Sequence, residues 1–177
     1  MPDLSTLPDA ARLWAFAADR PLSSAEADAV LGTVTAFLDK WNSHGRPVPG
    51  AVELREGRFL LVGAALDQEQ LNAGVSGCGI DQMTRAVEAA AEAHGFGWAN
   101  ALTVAYRDAA GAVQVAPRAA FRKLARAGEA DGQTRVFDLT PDTVGALRRN
   151  GLERPAAESW HGKAFRLAPS DAQAEAA

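Results

Sequence analysis

The residue best suited to nucleophilic chemistry in this chain is a cysteine placed between two glycines. The segment that holds it reads Ser76, Gly77, Cys78, Gly79, Ile80 and Asp81. A sulfur at a helix N-terminus lies beside unpaired backbone N–H groups and the positive end of the helix dipole, and both favour the thiolate. The flanking glycines leave room for a substrate and leave backbone N–H groups able to hold an anion. We therefore expect a nucleophile or a ligand pocket at residues 76–81.

Three side chains form the candidate catalytic set: Cys78, His44 and Asp81. An imidazole within hydrogen-bond reach of the sulfur takes its proton or pairs with the thiolate, so His44 is the candidate partner. A structural interpretation stays open beside this one. A lone cysteine is commonly a small buried apolar residue, and a histidine near a helix C-terminus interacts favourably with the dipole without any catalytic role. The alternative role of Asp81 is to cap the helix.

The elements that must position these residues begin with a strand and a helix. Large and small apolar side chains alternate over residues 12–18, as in a strand that is covered on one side. Ser23 and Glu26 have the spacing of a helix-capping pair, and apolar residues then recur at helical spacing. The pattern predicts a helix over residues 24–43 that ends at Gly45.

Two hairpins and a second helix follow. Residues 51–56 and 58–66 are predicted to pair as strands about a tight turn. The second helix runs from Cys78 and is closed by His94 and Gly95. Another hairpin is predicted over residues 101–107 and 112–116. The order strand, helix, strand, strand, helix, strand (βαββαβ) is that of a ferredoxin-like split βαβ core, an α+β fold with a mainly antiparallel sheet.

Residues 117–127 are predicted to be helical, 134–139 extended and 140–149 helical, which adds a C-terminal α/β extension to this core. We expect a single domain over residues 1–167. The last ten residues, 168–177, lack an apolar period, and we expect them to be a disordered tail.

The predicted topology brings distant segments to one sheet edge. In a split βαβ unit the first helix ends where the second begins, so Trp41 and His44 would approach Cys78. The end of the fourth strand runs toward the same edge. The candidate ligand-binding residues are therefore Trp41, Ser76, Gly77, Gly79, Tyr106 and Arg107.

Composition limits the classes of function that the chain can serve. It has 177 residues, 47% of them apolar, and a formal net charge of −4 that disfavours binding to nucleic acid. One cysteine permits no disulfide within the chain and no zinc site of several cysteines. The histidine spacing does not suggest a metal site, and we expect no metal and no cofactor. The N-terminus lacks a signal-peptide pattern and no apolar run is long enough to cross a bilayer, so we expect a soluble cytoplasmic protein that is not bound to membranes.

A basic stripe recurs later in the chain. Arg118, Arg122 and Arg126 are spaced four residues apart, with Lys123 beside them. Residues four apart share a helix face. Such a stripe is commonly a solvated surface, and the alternative is a docking site for an anionic ligand or partner.

Several segments together resemble a known family. They are residues 13–16, 20–22, 37–45, 58–60 and 76–81. They resemble an uncharacterised bacterial family whose members are sometimes labelled ABC transporter ATPase, and the resemblance covers residues 12–108. It implies no established activity. The motifs do not support the label, because a nucleotide-binding loop needs Gly-x-x-x-x-Gly-Lys-Ser/Thr. Here Gly162 and Lys163 are followed by Ala164, and Ala157 stands where the first glycine is required.

Two hypotheses about function follow. In the first, the chain is a small binding or interaction module for a small molecule or a protein, with a ligand pocket at residues 76–81 and with homodimer formation as an option. In the second, it is a thiol-dependent enzyme or a redox-responsive protein in which Cys78 attacks and His44 assists.

Overall fold

The computed structural model describes residues 3–43, 45–65 and 77–167. The chain forms two compact units, of which the first comprises Met1–Trp98 with Thr140–Arg149 and the second comprises Ala99–Leu139 with Asn150–Ala177. The prediction of a single domain over residues 1–167 stays a prediction, and the predicted tail lies outside the described residues.

The described residues contain nine strands and five α-helices, in the following chain order. The strands are β1 Arg12–Ala17, β2 Asn42–Ser43, β3 Arg46–Pro47, β4 Gly50–Arg55, β5 Phe59–Ala64, β6 Thr103–Arg107, β7 Val113–Pro117, β8 Arg135–Phe137 and β9 Glu153–Pro155. The helices are α1 Ser24–Leu38, α2 Gly77–Glu92, α3 Arg118–Ala127, α4 Val144–Asn150 and α5 Trp160–Phe165. Short 3-10 turns span Leu4–Thr6 and Ala156–Glu158.

The first unit is built on a three-stranded antiparallel sheet of order β1-β5-β4. The central strand β5 is apolar and buried along its whole length, because it pairs with a strand on each side and lies in the core. Glu56 and Gly57 both have positive φ and the Arg58 N–H donates to the Arg55 carbonyl, which makes a type I′ turn between β4 and β5. The core contains Val30 and Val34 of α1 together with Met83 and Val87 of α2.

Helix α1 begins as predicted and ends earlier than predicted. The Ser23 hydroxyl accepts from the Glu26 N–H while the Glu26 carboxylate accepts from the Ser23 N–H, which completes a capping box. The helix ends at Leu38, not at residue 43, because the chain turns there and β2 pairs with β3. Gly45 therefore lies in the β2–β3 connection with φ 77° and does not cap the helix.

The second unit contains a four-stranded antiparallel sheet of order β7-β6-β8-β9. The predicted hairpin of β6 and β7 is confirmed, with Val104 opposite Ala116. The predicted place of β6 as the fourth strand of the first sheet is wrong, because β6 pairs with β7 on one side and with β8 on the other. Its hydrogen-bonding edges are thus both occupied within the second unit.

An aromatic cluster forms the core of the second unit. Phe121 of α3 is fully buried, and its ring centroid lies 5.0 Å from that of Tyr106 and 4.9 Å from that of Phe165. Helix α3 follows Pro117 and ends at Gly128, whose φ of 73° closes the last turn. The predicted α+β class with mainly antiparallel sheets is confirmed. Among the described residues no helix has the length and apolar character that a membrane span requires.

Candidate functional site

An open cleft of about 720 Å³ lies in the second unit, at one end of its sheet. This volume falls within the roughly 300–1,000 Å³ typical of small-molecule sites. We name it the Tyr106 cleft. Its lining residues are Tyr106, Arg107, Asp108, Ala109, Gly111, Leu124, Glu129, Asp131, Gln133, Thr134 and Arg135.

Two tight loops form the rim of the Tyr106 cleft. In the β6–β7 turn, the Asp108 carboxylate accepts from the N–H groups of Ala110 and Ala112 and from the side-chain amide of Gln114. These hydrogen bonds hold the pKa of Asp108 below its usual value, and the bond from Gln114 has the largest effect. In the second loop, Asp131 Oδ1 accepts from the N–H of Thr134. The rim is therefore stiffened by its own side chains.

Two arginines of the cleft share one carboxylate. Arg107 donates from Nε and Nη2 to the two carboxylate oxygens of Glu153, at 2.9 and 2.8 Å, and Arg135 donates to the same carboxylate at 3.2 Å. The hydrogen bond from Arg107 is the main reason that the pKa of Glu153 lies below its usual value. The Arg107 guanidinium also lies 5.2 Å above the Phe137 ring. Both cations are thus held by the protein itself.

Two polar groups of the cleft, the Tyr106 hydroxyl and the Glu129 carboxylate, make no hydrogen bond with another described residue. Burial raises the pKa of Tyr106, and the nearby carboxylates of Asp108 and Glu129 raise it further. Tyr106 is thus a neutral donor and acceptor at pH 7, while Glu129 is the cleft carboxylate open to a ligand.

A serine and a histidine meet elsewhere in the second unit without forming a catalytic pair. The Ser159 hydroxyl lies 2.8 Å from His161 Nδ1 and caps α5 by accepting from the His161 N–H. His161 is 1% exposed and its ring stacks on Trp160 at 3.9 Å. Burial lowers the pKa of His161 to about 4. No substrate reaches this imidazole, so the pair stabilises the fold.

The predicted cysteine segment is described only in part. Ser76 and His44 lie outside the described residues, as does the side chain of Cys78. Helix α2 begins at Gly77, which places Cys78 second in the helix. Gly79 is buried and Asp81 is exposed. Because Asp81 is the fifth residue of α2, its suggested role as the helix cap is wrong.

The other predicted ligand-binding residues lie in different units. Trp41 belongs to the first unit and is 3% exposed, with its ring centroid 5.4 Å from that of Phe37 and 6.2 Å from that of Trp14. Tyr106 and Arg107 belong to the second unit and line its cleft. The expectation that all of them meet at one sheet edge depended on β6 pairing beside β1, and β6 pairs within the second sheet instead.

The sequence reasoning missed Glu129 and Arg135, which line the Tyr106 cleft. It also missed Glu153, which accepts hydrogen bonds from Arg107 and Arg135 behind the cleft wall. Gly128, which ends α3, marks the loop that contains Glu129, and this is the signal that could have pointed to it. Glu153 lies on a three-residue strand 46 residues after Arg107, so no local pattern links the two.

Comparison with protein-family models, with curated proteins and with solved structures gives no match to this chain. The resemblance to an uncharacterised bacterial family stays a prediction. Within the part of the chain that the structure describes, no three His, Cys, Asp or Glu side chains are grouped as a metal site requires.

Proposed function

We propose that this chain is a ligand-binding module that takes a small cationic molecule into the Tyr106 cleft. The observation that carries the proposal is the balance of charge in this cleft. Its lining includes three carboxylates, those of Asp108, Glu129 and Asp131, while both of its arginines are ion-paired to Glu153. An excess of negative charge in a concave site attracts a cation.

The role of each side chain in binding follows from whether it already has a hydrogen-bond or ion-pair partner among the described residues. Glu129 accepts hydrogen bonds from the ligand ammonium, and Tyr106 adds one hydrogen bond as donor or acceptor. Leu124 supplies apolar contact for the carbon chain of the ligand. Arg107 and Arg135 hold Glu153 and so keep the two strands that form the wall of the cleft in register.

The test is a titration of the ¹⁵N-labelled chain with 1,4-diaminobutane, and separately with succinate, which has the same carbon count and opposite charge. We expect the diamine to shift the amide signals of residues 106–108 and 128–135, and succinate to leave them unchanged. The variant Glu129→Gln should bind the diamine about tenfold more weakly, since it loses a charge-assisted hydrogen bond.

The matched control is Glu88→Gln, which neutralises an exposed glutamate on α2 in the first unit. It should bind the diamine as the unchanged chain does. Binding of succinate as tight as that of the diamine would contradict the proposal. Diamine-induced signal shifts centred on residues 76–81 would also contradict it, because they would place the ligand in the pocket that the sequence predicted.

A second proposal keeps the thiol chemistry, because α2 begins at Gly77 and so supports a dipole-stabilised thiolate at Cys78. Alkylation of the folded chain across a pH range tests it. A reactive thiol should titrate well below about 8.5, and His44→Ala should raise that midpoint while His94→Ala does not. An inert thiol at neutral pH rules out a nucleophilic role, and an unchanged midpoint in His44→Ala rules out the pair.

For the fold, we propose that the first unit is a ferredoxin-like split βαβ core with a fragmentary fourth strand. Its sheet order β1-β5-β4 and the helices α1 and α2 support this. On the edge of β1 that faces away from β5, Arg12 forms an isolated antiparallel β-bridge with Thr143. Just beyond the end of β1, Ala18 forms another with Trp98. Nuclear Overhauser contacts between the backbones of these two pairs test the assignment, and their absence would contradict it.

A further inference from the structure

The second unit has another cleft, which is lined by three arginines and no carboxylate. It lies between α3 and the end of α5 and has a volume of about 530 Å³. Its lining residues are Arg122, Ala125, Arg126, Ala164, Phe165 and Arg166. We name it the arginine cleft.

Small side chains and one aromatic ring give this cleft its shape. Ala125 on α3 and Ala164 on α5 leave space where longer side chains would fill the groove. The Phe165 ring packs onto Phe121 and is nearly buried, so it forms a fixed wall. The Arg122 guanidinium lies 5.7 Å from the centre of the Phe165 ring, which holds one charge over that wall.

The three arginines of the cleft have no neutralising partner in the described part of the chain. None of Arg122, Arg126 and Arg166 forms a salt bridge or a side-chain hydrogen bond with another described residue. Arg107 and Arg135, by contrast, share Glu153. Like charges that converge in a concave site repel one another, and an anion placed among them relieves that repulsion.

The backbone conformation of Arg166 also favours an anion site at this cleft. This residue ends α5 with φ 56°, a conformation that glycine adopts without strain and that other residues disfavour. Helices very commonly end in a glycine at such a position. An arginine here forgoes that advantage and places a third cation at the cleft.

We propose that the arginine cleft binds a small phosphorylated molecule. A guanidinium presents paired N–H donors that match two oxygens of one phosphoryl group, and three guanidiniums suit a ligand with at least two negative charges. The overall charge of −4 repels a long polyanion, whereas a small ligand feels mainly the local field. This site is separate from the Tyr106 cleft, and its ligand has the opposite charge.

The test uses calorimetric titration with pyrophosphate at low salt, and with acetate as a singly charged comparison. We expect saturable binding of pyrophosphate that weakens as salt is added, and at least tenfold weaker binding of acetate. Arg126→Gln should weaken pyrophosphate binding about tenfold. Arg166→Gly should do the same while relieving the positive φ, so loss of binding in that variant cannot be attributed to misfolding.

Arg85→Gln is the control, because it removes an exposed arginine from α2 in the first unit. It should leave pyrophosphate binding unchanged.

Absence of saturable binding at millimolar pyrophosphate overturns the proposal, as does an equal loss of binding in Arg85→Gln. Tighter binding of a twelve-nucleotide single strand than of pyrophosphate also overturns it in favour of a nucleic-acid surface. Failure of diamine binding at the Tyr106 cleft leaves these results unaffected, so the two proposals are tested separately.

Discussion

The two units of this chain use arginine in different ways. In the first unit, Arg58 is buried and its guanidinium donates to the backbone carbonyls of Ala18 and Asp19, at 3.0 and 2.7 Å. In the second unit, Arg107 and Arg122 lie against aromatic rings beside open clefts. A guanidinium bound to backbone carbonyls, like that of Arg58, or to a carboxylate, like that of Arg107, holds the fold together. The Arg122 guanidinium forms no ion pair with another described residue and can meet a ligand. Both of the ligand sites that we propose accordingly lie in the second unit.

The largest expected effect tests whether the two units have separate cores. Phe121→Ala removes the ring at the centre of the second core and should lower its free energy of unfolding by about 3–5 kcal/mol. Hydrogen exchange should then accelerate in β6, β8 and α3, while β1 and β5 keep their protection. Phe59→Ala, a fully buried residue of β5, should give the reverse pattern. Uniform loss of protection in either variant would show one shared core.

The next effect distinguishes the units by their response to acid. His161 is neutral in the folded state, where burial lowers its pKa from 6.5 to about 4. Below pH 6.5 the unfolded chain binds a proton that the folded chain does not, so stability falls as the pH drops toward 4. The loss from this group is up to about 3 kcal/mol. His161→Phe keeps a ring in the core and should flatten this part of the pH dependence in urea unfolding.

His94→Gln is the control for that measurement, because His94 is exposed at the end of the first unit's second helix. Its pH dependence should match that of the unchanged chain. A His161→Phe curve with the original acid slope would contradict the buried neutral imidazole.

A smaller effect concerns the shared carboxylate at the wall of the Tyr106 cleft. Glu153→Gln leaves Arg107 and Arg135 close together without an anion and should cost about 1–2 kcal/mol in thermal or urea unfolding. Because the pKa of Glu153 is lowered on folding, its contribution is present above pH 4.5 and is lost as the pH falls below that value. Glu53→Gln breaks a more exposed pair with Arg55 in the first unit and should cost less. Equal costs would remove this contrast between the units.

The smallest expected effect concerns the N-terminus of α1 in the first unit. Ser23→Ala removes the hydroxyl that caps α1 and should cost about 0.5–1 kcal/mol. Ser24→Ala, one residue later and inside the helix, should cost little or nothing because alanine is a good helix former. Thermal melts of the two variants give the comparison. A cost at Ser24 equal to that at Ser23 would contradict the assigned cap.

Local patterns predicted most of the individual elements. The capping pair at Ser23, the turn at Glu56 and Gly57, and the glycine that closes α2, Gly95, each act through neighbouring residues, so a short segment contains the whole interaction. Trp41 shows the limit of this reasoning. Its spacing matched a helix, and it is indeed buried, but it reaches the core from the segment after α1. Apolar spacing indicates burial more reliably than it indicates backbone conformation.

The candidate site was predicted only in fragments. Tyr106 and Arg107 were expected to bind a ligand and do line a cleft, although the reasoning placed them on the wrong sheet. Glu129 and Glu153 were missed, because a carboxylate gains its role from the charges around it and those come from distant segments. The predicted chemistry at Cys78 stays a prediction.

The sequence by itself determined the positions of β1, β4 to β7, α2 and α3 and the start of α1, since these depend on side-chain alternation and on hydrogen bonds between near neighbours. Only the tertiary structure decided which strands share a sheet. A strand such as β6 offers the same edges to any partner, and its choice rests on packing between residues far apart in the chain. That choice assigned β6 to the second unit and brought Arg107 to Glu153, and with it the wall of the cleft on which the proposed function depends.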